Sequence, residues 1–161
     1  MANEHLATYL NDHLAGSVVA VELMENLEAA YAGKPIAEFV RGIRIEVETD
    51  QRELQELMKR LEISESRTRK VSAWLTEKLT ELKLRLDDSA HGNLRLFESL
   101  EALSLGIEGK KSLWLALAAA AEVAPQLRSV DYERLKASAE EQRSRVEAKR
   151  IEIARVALGE R

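Results

Sequence analysis

Cysteine is absent from the 161-residue sequence. Disulfides, thiolate catalysis and thiolate-held zinc or iron–sulfur centres are therefore excluded. Proline occurs twice and glycine seven times, so there are few points where a helix must break. Aromatic residues make up only 4%, leaving Leu, Ala, Val and Ile to build the core. Such a core suits packed helices better than a sheet sandwich. The longest charge-free run in the second half, Ser112 to Ala121, falls well short of the roughly 20 apolar residues that span a bilayer. It reads as a buried helix segment. No sign of charge dominates, because the formal net charge is −4 with acids and bases interleaved. A nucleic-acid binder usually carries a basic field, so none is expected as partner. The chain contains no Gly-rich phosphate loop, no Gly-x-Ser-x-Gly elbow and no His-Glu-x-x-His segment. Met1-Ala2-Asn3-Glu4-His5 shows no basic stretch followed by an apolar one. A cytoplasmic protein without membrane contact is expected.

Hydrophobic residues make up 45% and charged residues 32%. That balance and length predict one globular, helix-rich domain over residues 1–161. Periodicity divides the chain into five helices. The first covers Asn3 to Ala32, with Leu6, Leu10, Leu14, Val18, Val21, Met24, Leu27 and Tyr31 on one face. Gly33-Lys34-Pro35 ends it, since Gly suits a helix end and Pro a first turn. The second runs from Pro35 to Glu62 and has an acid, Asp50, where its stripe calls for an apolar residue. The third, Glu65 to Leu86, is shorter, and the loop Asp87 to Asn93 follows it. The fourth, Asn93 to Ala124, is apolar around much of its circumference, which predicts burial on most sides. Gly106 and Gly109 predict a kink or a close helix approach within it. The fifth, Asp131 to Leu158, turns Leu135, Ala139, Gln142, Val146, Ile153 and Val156 inward.

The second helix carries a local pattern as well. Leu54, Leu57, Met58 and Leu61 stand four, seven, eight and eleven residues beyond Asp50. With four long helices and a shorter middle one, this resembles the ferritin-like superfamily. The fold class implied is all-α: a four-helix bundle of two long antiparallel hairpins with a shorter crossover helix. A plain five-helix up-and-down bundle also fits the lengths. Di-iron members of the superfamily place two Glu-x-x-His motifs and two further Glu inside the bundle. Here the matching positions read Val47/Asp50 and Ala139/Gln142. Shifted frames give Glu48/Gln51 with Glu141/Ser144, or Glu46/Thr49 with Glu140/Arg143, and none contains a His. Of the three His, His5 lies near the terminus and His91 in the loop, leaving His13 to face the core.

A lone acid in a helical core is costly unless paired or protonated. His13, Ser17, Gln142, and Lys110 or Lys111 are the candidate partners of Asp50. His13, Asp50 and Gln142 form the candidate polar interior. The basic run Arg67-Thr68-Arg69-Lys70 is expected to pair with Glu62 and Glu65 or to contact an anionic partner. The first functional reading is a binding or structural module without a di-iron centre, needing no cofactor and more an interaction protein than an enzyme. A homodimer is expected, with Trp74 and Trp114 as exposed candidates. The small-molecule or protein partner is left open. The second reading is a metal-binding or oxidative-stress protein of the same superfamily. It would hold iron or another divalent metal on Glu22, Asp50, Glu101 and Glu108 without imidazoles. A third is an adaptor that takes a partner helix in a groove.

Overall fold

A computed structural model describes residues 3–66, 77, 80–81 and 92–159. Within these residues the chain is all-helical, with four long helices. They are α1 (Glu4–Ala30), α2 (Pro35–Arg60), α3 (Gly92–Ala121) and α4 (Tyr132–Gly159). A 3-10 turn, Pro125–Leu127, joins α3 to α4. The predicted third helix, the basic run 67–70, Trp74 and His91 lie outside the described residues.

Helix ends follow local chemistry. Asn3 caps α1, its side chain accepting the His5 N–H at 2.9 Å. Gly33 takes a left-handed φ of 81°, and Pro35 opens α2. The end of α2 comes two residues earlier than periodicity suggests. The Ile63 N–H donates to the Met58 carbonyl at 2.9 Å and the Glu62 N–H to that of Lys59 at 3.1 Å. This is a Schellman end with Glu62, at φ 57°, in the position glycine usually holds. Asn11, buried on α1, then grips the departing chain. Its Nδ2 donates to the Ser64 carbonyl at 3.2 Å, and its Oδ1 accepts the Ser66 N–H at 2.7 Å.

Two core clusters fix helix directions. One joins Leu10 and Leu14 of α1, Leu54, Leu57 and Met58 of α2, Leu113, Trp114 and Leu117 of α3, and Leu135 of α4. The other joins Leu23, Met24 and Leu27, then Val40, Ile43 and Val47, then Leu96, Leu100, Leu103 and Ile107, then Ala139 and Val146. The beginning of α1 thus lies with the ends of α2 and α3 and the beginning of α4. Consequently α2 and α3 run the same way, while α1 and α4 run opposite to them. A four-helix up-and-down succession would make α2 and α3 antiparallel, whereas the five-helix one and the two-hairpin arrangement both make them parallel. Ile63 packs in the first cluster, whereas Gly92 accepts a 2.8 Å hydrogen bond from Tyr31 Oη at the end of α1. Those two residues stand at opposite ends of a bundle about 40 Å long.

Several expected faces change. Val18 of α1 is 53% exposed, and α1 buries nothing between Leu14 and Leu23. α3 is not buried on most sides, since Leu105 is 61% and Leu115 46% exposed. Its buried face is the stripe from Leu96 through Ser99, Leu103 and Ile107 to Trp114 and Leu117. Trp114 is only 1% exposed and offers no surface to a second copy. Val156 of α4 faces outward. α3 runs unbroken through Gly106 and Gly109, and a methyl group at either would meet no atom within 4 Å. They therefore mark open space, not a close helix approach. No described helix is long and apolar enough to cross a membrane.

Candidate functional site

On α2 and α3 the two clusters are separated by polar residues, and the chemistry gathers there. Asp50 falls between Val47 and Leu54, and Lys110 between Ile107 and Leu113. Lys110 Nζ donates to Asp50 Oδ2 and to Gln142 Oε1, each at 2.5 Å. Gln142 Nε2 donates to the same Asp50 oxygen at 3.0 Å and to Ser138 Oγ at 3.3 Å. Three helices thus contribute one residue each to a closed triad. Both charged side chains are largely withdrawn from water, at 15% exposure for Lys110 and 8% for Asp50. Burial pushes the Lys110 ammonium below its ordinary range, while Asp50 pulls the other way and keeps it paired.

A cavity of about 300 Å³ opens beside the triad, between α1, α2 and α3. Asp50 and Lys110 lie on its wall, with Val47, Leu54, Leu103, Ile107 and Leu113 supplying apolar surface. Gly16 on α1 and Gly106 and Gly109 on α3 help to create the space, because their missing side chains are replaced by nothing. His13 lines the same cavity. Its ring meets Tyr9 edge-on, with centroids 4.7 Å apart. Burial lowers its pKa and Asp12 opposes that, so the imidazole is held neutral to lower pH than usual. Ser17 and Gln51 also line it, bonded to each other at 2.8 Å. Trp114 completes the wall, and its indole N–H, though buried, has no hydrogen-bond partner.

The structure therefore brings together all three residues of the expected polar interior. Asp50 and Gln142 bond directly, and His13 stands on the same cavity. Of the other candidate partners of Asp50, Lys110 is the one used. Lys111 instead meets Glu140 at 3.2 Å, and Ser17 meets Gln51. The four carboxylates considered as metal ligands do not converge. Glu101 pairs with Arg150 at 3.2 Å and Glu108 with Arg143 at 2.8 Å, both across the α3–α4 interface. Glu22 is half-buried on α1. Among the described residues no group of three or more His, Asp or Glu side chains is placed to hold a metal ion. Sequence reasoning missed Trp114 and the three glycines as elements of the site. Their signal was present, since glycine disfavours helix interiors. Only the packing could say whether they open a space or close one.

No family model, no curated protein and no solved structure matches this chain.

Proposed function

We propose that this protein is a binding module on a ferritin-like scaffold that holds a small, mostly apolar molecule in the α1–α2–α3 cavity. One observation carries the reading: an apolar-walled space of about 300 Å³ adjoining a buried, fully paired charge cluster. Ligand sites are typically concave and mostly apolar, with a few fixed polar groups that orient the guest. The shared direction of α2 and α3 fits two hairpins joined end to end, as it also fits a five-helix up-and-down bundle. At the two positions where the ferritin-like resemblance would place imidazole ligands, Asp50 and Gln142 hold an ammonium group instead. A lysine there fills the polar centre with its own cation.

The test uses α-methylstyrene, a hydrocarbon of cavity size, in thermal unfolding of the full chain. A ligand that binds the folded state raises the unfolding temperature in a saturable way. Saturable stabilisation is expected for the natural sequence and loss of it in Gly16→Leu, which places a four-carbon side chain at the cavity wall. Absence of stabilisation, or equal stabilisation in both proteins, overturns the proposal.

A further inference from the structure

Among the described residues, four titratable side chains line the cavity: Asp12 and His13 from α1, Asp50 from α2 and Lys110 from α3. Asp50 and Lys110 answer each other's charge. The His13 ring has no such partner. It meets Tyr9 edge-on, and the charged group that acts on it is Asp12, its exposed neighbour on α1. Resting on the binding reading above, we propose that the site is regulated by protons: an apolar guest and a proton on His13 exclude each other, so that acid releases the guest.

The cause is the solvent that each form of the ring requires. An imidazolium carries two N–H donors and a full charge, whereas a neutral imidazole carries one donor and one acceptor. Among the described residues no hydrogen-bonding group meets either ring nitrogen. The side chain is half-buried, so water serves them. An apolar guest takes the place of that water and returns no acceptor. Withdrawing a charged group from water costs far more than withdrawing its neutral form. The guest therefore binds more tightly to the protein whose ring is neutral. The coupling is reciprocal, since whatever factor the guest applies to proton binding, the proton applies to guest binding.

The direction with pH follows. Burial already holds the His13 ring below the ordinary histidine range, and Asp12 opposes this. A guest completes the burial and lowers it further. Guest affinity is thus full above the ordinary histidine range. It falls as the pH drops through the His13 value of the free protein, by up to about tenfold per pH unit for one proton, and levels off at the value of the occupied protein. The other groups facing the ring have less to lose when a guest enters. Asp50 and Lys110 are already paired and sum to zero, and Asp12 is exposed to solvent. Burial raises the Tyr9 hydroxyl, away from the histidine range.

The probe is α-methylstyrene, which has no proton to gain or lose. Its affinity for the full chain is measured by calorimetry at about pH 7.5 and about pH 5, on either side of the histidine range and above the ordinary carboxylate values. Binding should be at least about threefold weaker at the lower pH. By NMR, the His13 ring, assigned through its contact with Tyr9, should titrate at lower pH in the α-methylstyrene-saturated protein than in the free protein. In His13→Gln the affinity should be the same at both pH values. The NMR titration of the natural sequence decides the matter even if that variant fails to fold. Equal affinity at the two pH values in the natural sequence, a His13 titration unmoved by the guest, or a pH dependence that persists in His13→Gln overturns the inference and leaves the binding reading intact. Failure of α-methylstyrene to bind at either pH overturns both.

Discussion

The interface between α2 and α4 and the interface between α1 and α3 close in different ways. Across the first, long polar side chains reach over: Arg134 to Glu53 at 2.9 Å, Arg145 to Glu46 at 2.5 Å, and Gln142 to Asp50 at 3.0 Å. Across the second, apolar contacts form at both ends of the bundle, and the middle is held apart. There α1 presents Gly16, Ser17 and Ala20, and α3 presents Gly106, Gly109 and Lys110. Small residues on facing helices usually permit close approach. Here nothing fills the space they leave, and an ion pair stands at its floor. Small size in a helix thus has two opposite uses, and the neighbouring helix decides which one applies.

The comparison breaks most sharply at Lys110. Lys110→Met leaves Asp50 buried without its cation, which should cost about 3–5 kcal/mol by denaturant unfolding. Asp50→Leu combined with Lys110→Met should recover much of that loss, because it removes both charges together. A single variant as stable as the natural protein would mean that water, and not the bundle, solvates the pair.

The glycines come next in size. Gly33 is held at a φ of 81°, so Gly33→Ala should lose about 1 kcal/mol or more. Gly106→Ala and Gly109→Ala add a methyl group to open space in a helix. Each should gain about 0.5–1 kcal/mol. Opposite signs at Gly33 and at the α3 pair, read from unfolding midpoints, would sharpen the distinction between a glycine used for its backbone and one used for its absence.

The end of the bundle where α1 finishes answers to acid. Glu28 accepts from Arg44 Nε at 2.5 Å and from Arg41 Nε at 3.2 Å. The Arg44 hydrogen bond holds its carboxyl below the ordinary range, burial opposes this, and Arg41 adds to the lowering. Its folded-state pKa lies below the unfolded one. The stability it contributes is therefore complete above the ordinary glutamate pKa and is lost as the pH falls below it, through the lowered folded value. Glu28→Gln should flatten that part of the stability–pH curve. An unchanged acid limb would show that other carboxylates set it. Glu147, lowered first by Arg150 and then by Ser104, is the corresponding group between α3 and α4.

The smallest effect is expected where the α2–α4 interface looks busiest. Arg145 and Glu46 are about 40% exposed. Arg145→Ala should change stability by no more than about 1 kcal/mol, and less at high salt. A larger loss would show that these surface pairs hold the hairpins together and that the triad beneath does not.

Much of the fold was legible in the residues. The breaks at Gly33 to Pro35 and at Pro125 were readable because backbone chemistry is local. Asp50 and Gln142 stood out because each interrupts an apolar stripe that a period of 3.6 makes visible. The early end of α2 was not legible, because Glu62 occupies a left-handed position that usually advertises itself as glycine. Val18, Val156, Leu105 and Leu115 were read as inward or enclosed and proved exposed. An apolar residue is free to sit in water, and hydrophobicity alone does not tell which part of a wide apolar face is covered.

By itself, the sequence determined which chemistries are excluded, where the four described helices lie, and that an acid sits within the bundle. Those properties depend on residue type and on neighbours within a few turns. The tertiary structure shows α2 and α3 running in the same direction, as both architectures expected from the sequence require. It alone chose Lys110 over Lys111 as the partner of Asp50, because one residue turns a helix by about 100°. It alone showed that Gly16, Gly106 and Gly109 leave a cavity, because empty space belongs to the helices that surround it and to no single segment of the chain.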